Sequence, residues 1–159
     1  MPVPNLSLSV TRPPHGTICF SALMQLKFLT ENDLALLRSI ATRQTFKPRE
    51  IIIAVNSKPK ALYILTAGSA TVELVRGKSI ARLAPGDICG EMAFLENSMA
   101  SATVAAEAGA EAEVLALPEV ERIFALYPHL QARFYKSLAV LLSQRLRATS
   151  SRLAKAAQS

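Results

Sequence analysis

The chain has 159 residues, half of them hydrophobic, and a formal net charge of +6. That length suits a single domain with a proper core, and no apolar run approaches the eighteen or so residues that a membrane-spanning helix needs. The first residues (Met-Pro-Val-Pro-Asn-Leu-Ser-Leu-Ser-Val) lack the basic start and long apolar stretch of a secretory signal, so a cytoplasmic location is expected.

In chain order, residues 1–20 carry Pro2, Pro4, Pro13 and Pro14 among Ser, Thr and Asn. This composition resists both helix and central strand and predicts an arm or linker. Phe20 to Leu29 is apolar and could start a helix. Thr30 then has the character of an N-cap, with Asp33 three residues on in a capping-box-like arrangement. Leu34, Leu37 and Ile40 extend helical periodicity to about Ala41.

From Thr45 to Leu117 the texture changes to short β-rich runs: Thr45-Phe46, Ile51 to Val55, Ala61 to Leu65, Ala70 to Val75, Ser79 to Leu83, Ser101 to Ala106 and Ala112 to Leu117. Lys47-Pro48, Asn56 to Pro59, Ala67-Gly68, Arg76-Gly77-Lys78, Pro85-Gly86 and Ala108-Gly109 read as the dividers between them. Many short strands at close spacing predict a sandwich, barrel or small β-roll. Cys19 and Cys89 have neither zinc spacing nor the number of a disulfide framework, and read as buried or half-buried thiols.

Pro118 fits the first position of a short helix that ends before Pro128, with Glu119 and Glu121 in its first turn. A long helix follows, with Phe134, Leu138, Leu142, Leu146, Thr149 and Leu153 at three- and four-residue steps. Leu130, Val140 and Leu141 widen its apolar surface, which reads as a homodimer seam or as further packing on the chain's own roll. From Pro128 onward there are six basic residues (Arg133, Lys136, Arg145, Arg147, Arg152, Lys155) and no acidic one. The stripe includes no turn followed by a recognition helix, so it reads as a solvated face and no DNA binding by this chain is expected. The organisation expected is an arm over 1–20, a β-roll with short helices over 21–127, and a long helix over 128–159.

The stretch with the most chemistry is Pro85 to Val104. A Pro-Gly turn leads to Gly90, Glu91 and the short apolar run Met92-Ala93-Phe94-Leu95. Glu96-Asn97-Ser98 breaks it, and Ser101 to Val104 leaves as a small, β-branched run. A short helix entered through a glycine has unpartnered backbone N–H groups suited to an anion, while Glu91 would suit a hydroxyl-rich neighbour such as a ribose. Gly90 to Leu95 followed by Ser101-Ala102-Thr103-Val104 resembles the phosphate-binding cassette of the cyclic nucleotide-binding domain family. That pattern is Gly-Glu-Met/Leu-Ala-Leu-Leu, a short gap, then Pro-Arg-Ser/Thr-Ala-Thr-Val. The family's arginine falls on Ala100 and its proline on Met99. Leu62 to Ala70 and Lys47 to Ile52 are similar to two further family segments, and the likeness covers roughly Phe28 to Leu153.

The resemblance implies a mainly β fold with flanking helices (α+β), a double-stranded β-helix or jelly roll followed by a long C-terminal helix. It assigns Glu91 to a ribose 2′-hydroxyl, the N–H groups of Met92 and Ala93 beyond Gly90 to phosphate oxygens, and Ser101, next to Ala100, to a further hydroxyl or backbone contact to the phosphate. Arg145-Leu146-Arg147-Ala148-Thr149-Ser150 is similar to a segment of catabolite activator-like members, which implies that Thr149 and Ser150 meet the base across a dimer. The implied ligand is cyclic AMP or cyclic GMP, with no cofactor, and the implied function is regulatory, relayed through the long helix. With Ala100 in place of arginine, Arg82 or an arginine of a partner's long helix is the remaining candidate for the phosphate. The alternative is a degenerate, non-sensing domain serving as a dimerisation or interaction module, as on the tails of membrane transporters or channels. His15 and His129 are the only histidines and neighbour no candidate nucleophile, so neither a three-histidine metal site nor a catalytic triad is expected, and the chain is not expected to be an enzyme.

Overall fold

Thr30 starts the first helix in the way its side chain predicts. In the computed structural model, which describes residues 23–74 and 77–158, the Thr30 hydroxyl accepts from the Asp33 N–H at 3.2 Å and the Asp33 carboxylate accepts from the Thr30 N–H at 2.9 Å. This reciprocal cap opens α1 (Glu31–Ile40). Of the apolar run Phe20 to Leu29, which could start a helix, the described part from Leu23 onward has one 3-10 turn, Leu23–Gln25; Phe20 to Ala22 and the arm over 1–20, with His15 and Cys19, lie outside the described residues.

Among the described residues six strands follow: β1 (Thr42–Phe46), β2 (Ile51–Ile53), β3 (Ala61–Leu74), β4 (Lys78–Leu83), β5 (Ile88–Cys89) and β6 (Thr103–Ala116). They form one antiparallel sheet in the order β1-β6-β3-β4, with β2 on β6 and β5 on β3. Two of the expected dividers are not loops. Ala67-Gly68 lies inside the 14-residue β3 and Ala108-Gly109 inside the 14-residue β6, which pair from Ala61↔Ala116 to Glu73↔Thr103 with register shifts beside Gly68. A Cβ on Gly68 would stand 2.1 Å from the Gly109 carbonyl oxygen. These glycines therefore mark a bulge where two backbones close on each other, not a chain reversal.

α2 (Glu91–Glu96) interrupts the roll, and α3 (Leu117–Leu126) and α4 (Pro128–Ala156) complete the fold. Pro118 occupies the second helical position of α3, after Leu117. Apolar side chains separate into two layers. Phe46, Leu65, Ala70, Leu83, Val104 and Ala112 fill the roll, while Leu37, Leu62, Ile64, Phe124, Phe134 and Leu138 join it to the helices. The predicted stripe of α4 divides accordingly: Phe134 and Leu138 are buried with Leu130 and Leu141, whereas Leu146 and Leu153 are 68% and 66% exposed.

Asp33 also ties α1 to α4. It accepts two hydrogen bonds from the Arg133 guanidinium, at 2.6 and 2.7 Å, and one turn later the Ser137 hydroxyl accepts from the Phe28 N–H at 3.1 Å. Hydrogen bonds from Arg133 first, and from Thr30 after it, outweigh burial and hold the Asp33 carboxyl at about 2, against an ordinary 3.8. A depressed carboxyl pKa stabilises the fold fully above the unfolded value, and that stability is lost as pH falls through about 2. Arg133 is partly exposed, and screening trims the contribution to about 1–2 kcal/mol. Asp33→Asn is expected to lower unfolding free energy by that amount at pH 7 and by only about 0.4 kcal/mol near pH 2, where the carboxyl is half protonated, measured by urea denaturation at both.

Candidate ligand cleft

The Pro85-Gly86 turn is held by hydrogen bonds from Gly86 N–H to Leu65 O and from Leu65 N–H to Asp87 O, at 2.8 and 2.9 Å. Asp87 in turn accepts from the Ala84 N–H at 2.8 Å. This staple lays β5 on β3, with Cys89 opposite Tyr63. Gly90 then turns the chain at φ 86°, ψ 0° to start α2. A Cβ there would sit 3.0 Å from the Ala61 carbonyl oxygen, so glycine satisfies both the left-handed backbone and the close approach. α2 stops at Asn97, itself left-handed at φ 50°. Ala100 donates to Ser57 O at 2.7 Å and accepts from the Asn56 N–H at 2.9 Å, which fixes the return into β6.

Between this segment and α4 lies a cleft of about 400 Å³, within the range of small-molecule sites. One wall is Ile53, Val72, Leu83, Ala100 and Val104; the opposite wall is Arg145, Ala148, Thr149 and Arg152 of α4, at the i, i+3, i+4, i+7 spacing of a single helix face. Glu91, only 6% exposed, bridges the two. Its Oε1 accepts from Arg145 Nη1 at 2.6 Å, and Arg145 Nη2 donates to the Ile88 carbonyl oxygen at 2.7 Å. Burial raises the Glu91 pKa, and the Arg145 charge and hydrogen bond oppose the rise. Burial, followed by the Glu91 charge, pushes the Cys89 thiol up to about 12, so it stays protonated and unreactive near neutral pH.

The sequence profile of the Cyclic nucleotide-binding domain matches residues 43–127. The chain belongs to the cyclic nucleotide-binding domain family. Among solved structures, a cyclic nucleotide-binding domain from Methylobacillus flagellatus superposes with a TM-score of 0.77 at 19% identity, over 85% of this chain and 82% of that one. The Catabolite Activator Protein of Thermus thermophilus gives 0.67 at 23% identity, over 84% and 62%. Glutaminase 1 of Bradyrhizobium diazoefficiens is 33% identical over 132 residues, which are 83% of this chain and 21% of that protein. The chain thus spans about a fifth of the length of that relative. Domains of this family are regulatory, not catalytic.

Within this cyclic nucleotide-binding domain, Gly90, Glu91, Met92, Ala93, Ala100, Ser101 and Thr149 all line the cleft, and Ser150 is not among its lining residues. Glu91 is no surface acid, because Arg145 covers it. Arg145 is the residue that sequence reasoning passed over as a binding partner, although it stands one helical turn before Thr149. Arg82 runs along the cleft, but its guanidinium is engaged by Glu107 at 2.7 Å and Ser69 at 3.3 Å. Among the described residues no helix is long and apolar enough to cross a membrane.

Removing Arg145 leaves a buried carboxylate without its counter-charge. Arg145→Ala is expected to cost roughly 3 kcal/mol at neutral pH. A raised carboxyl pKa favours the protonated folded state, so the deficit relative to wild type should shrink as pH is lowered and Glu91 takes up a proton. Denaturant titrations of both proteins between pH 7 and 5 check the sign; a deficit that stays constant would rule out Glu91 as its source.

Proposed function

We propose that this domain is a regulatory sensor that binds a small ligand of the nucleotide type in the cleft and relays occupancy through α4. The observation that carries the proposal is the Glu91–Arg145–Ile88 bridge, which attaches the middle of α4 to the cassette. A ligand hydroxyl that competes for Glu91 changes the hold on Arg145, and so the position or stability of the last turns of α4. Gly90, Met92, Ala93, Ser101 and Thr149 supply further contacts, and Ser150 belongs to a contact made across a dimer. Cyclic AMP and cyclic GMP are the ligands to try first, as the family name indicates. The setting proposed is cytoplasmic, with the domain attached to or acting on a larger regulated protein and without DNA binding of its own.

Ala100, 9% exposed and packed with the interior of the roll, favours a second reading. Here the cleft is a vestige, and the domain serves as a dimerisation or interaction module, for instance beside a transporter or channel. Hydrogen–deuterium exchange with cyclic AMP or cyclic GMP at millimolar concentration separates the two. For the sensor, ligand should change exchange over residues 128–156 in wild type and over the cassette alone in Arg145→Ala. No change anywhere in wild type supports the vestigial module.

We also propose a homodimer through the distal half of α4, where Leu146 and Leu153 are exposed two turns apart. Light scattering of the wild type is expected to give twice the chain mass, and the Leu146→Asp, Leu153→Asp double variant the single mass. A monomeric wild type at micromolar concentration would sink the dimer.

A further inference from the structure

We infer that the ligand of this cleft is anionic, and that Arg152 of α4 supplies its counter-charge in place of the cassette. The inference rests on the sensing reading above, and adds the charge of the ligand and the residue that meets it. Three arginines line the cleft, Arg82, Arg145 and Arg152, and they differ in what already holds them. Arg145 pairs with the buried Glu91 at 2.6 Å and donates again to the Ile88 carbonyl oxygen. Arg82 pairs with Glu107 at 2.7 Å, and its Nη2 donates to the Ser69 hydroxyl. Arg152 makes one long bond, 3.4 Å from its Nε to the Ala148 carbonyl oxygen of its own helix. Among the described residues no carboxylate pairs with it, so of these three cations it alone brings an unneutralised charge to the cleft.

The sequence of α4 explains why this cation is spare. No acidic residue follows Pro128, so none stands three or four positions from Arg152 to neutralise it along the helix. The acids of the cleft are taken up elsewhere: Glu91 by Arg145, Asp87 by the Ala84 N–H and Glu96 by the Ser98 hydroxyl. Arg152 nevertheless faces the cleft, because it shares one face of α4 with Arg145, Ala148 and Thr149. Its Cα lies seven residues beyond Arg145, about 10 Å along the helix axis. A helical side chain leans toward the N-terminus, and the Nε bond to Ala148 shows that this one does. The guanidinium is thereby brought back toward Thr149 and the cassette. Its planar fork, with both Nη groups unpartnered, matches the paired oxygens of a phosphate. A ligand that offers a hydroxyl to Glu91 and an anionic group to Arg152 gives the last turns of α4 an attachment that the empty cleft lacks.

The test is calorimetric titration of the wild-type chain with cyclic AMP, cyclic GMP, adenosine and guanosine, at low and high salt. A cyclic nucleotide is expected to bind about fivefold or more tightly than its nucleoside at low salt. That margin narrows at high salt, because Arg152 is exposed. Arg152→Gln, a change on an exposed face, is expected to abolish the margin while nucleoside affinity holds, and Arg152→Lys to keep part of it. Arg82→Gln is expected to leave the margin intact. Nucleosides that bind wild type as tightly as cyclic nucleotides overturn the inference and leave the sensing reading standing. A margin that survives in Arg152→Gln does the same, and passes the phosphate to Arg82 or to the Met92 and Ala93 N–H groups. Silence toward all four ligands overturns both.

Discussion

The long β3–β6 ladder is the constraint on which the other parts depend. Two 14-residue strands pair over nearly their whole length, so every other strand adds to one of them: β1 and β2 to β6, β4 and β5 to β3. The ladder survives a bulge because Gly68 lets its backbone approach Gly109 where any side chain would collide, and Gly109 takes a backbone conformation at φ 119° that favours glycine. Its two faces are both buried at the end that begins with Ala61. Ile64 meets the helices and Leu65 the interior of the roll, and this explains why the strand reads as nearly continuous apolar sequence there.

From that ladder the cleft inherits its position. β5 is only two residues long and is held against β3 by the Leu65–Asp87 and Gly86–Leu65 hydrogen bonds. The turn at Gly90 needs a glycine, because a Cβ there would press on the Ala61 carbonyl at the start of β3. The cassette is therefore a short excursion from a rigid edge, closed on the far side where Ala100 bonds to the Asn56-Ser57 turn. α4 reaches it as a lever. Its first half is fixed by Phe134 and Leu138 in the core and by Arg133 on Asp33, whereas its second half touches the roll through Arg145 and its neighbours in the cleft. The relay proposed for α4 would require only its weaker attachment, the Glu91–Arg145 pair, to change.

Local chemistry was the legible part of the sequence. The Thr30–Asp33 box and the Pro85-Gly86 and Gly90 turns depend on residues within a few positions, and the sequence displays them directly. The capping box stands where it was expected. Gly68 and Gly109 misled because a glycine that ends a strand and one that bulges it have the same local signature. Only the facing strand distinguishes them, and it comes from some forty residues away. Ile88-Cys89 was missed as a strand because two residues carry no periodicity. Arg145 was hidden for a related reason. Its partner lies 54 positions earlier, and an arginine in a basic helix looks like any other solvated charge until the fold brings Glu91 under it.

Ala100 gains a physical meaning from this arrangement. As a substitution in a phosphate-binding pattern it is only a loss. In the folded domain it belongs to the apolar interior with Ile53, Cys89 and Val104, its N–H and C=O are both satisfied by the neighbouring turn, and the nearest buried acid has its own arginine. A site that had merely lost a cation would leave unmatched donors and a polar hollow behind, at a cost of about 1–3 kcal/mol for each buried unsatisfied group. Here the wall is packed, and the buried Glu91 is paired with Arg145. Ala100 is thus a packed part of the apolar wall, and the acid beside it keeps a counter-charge in Arg145.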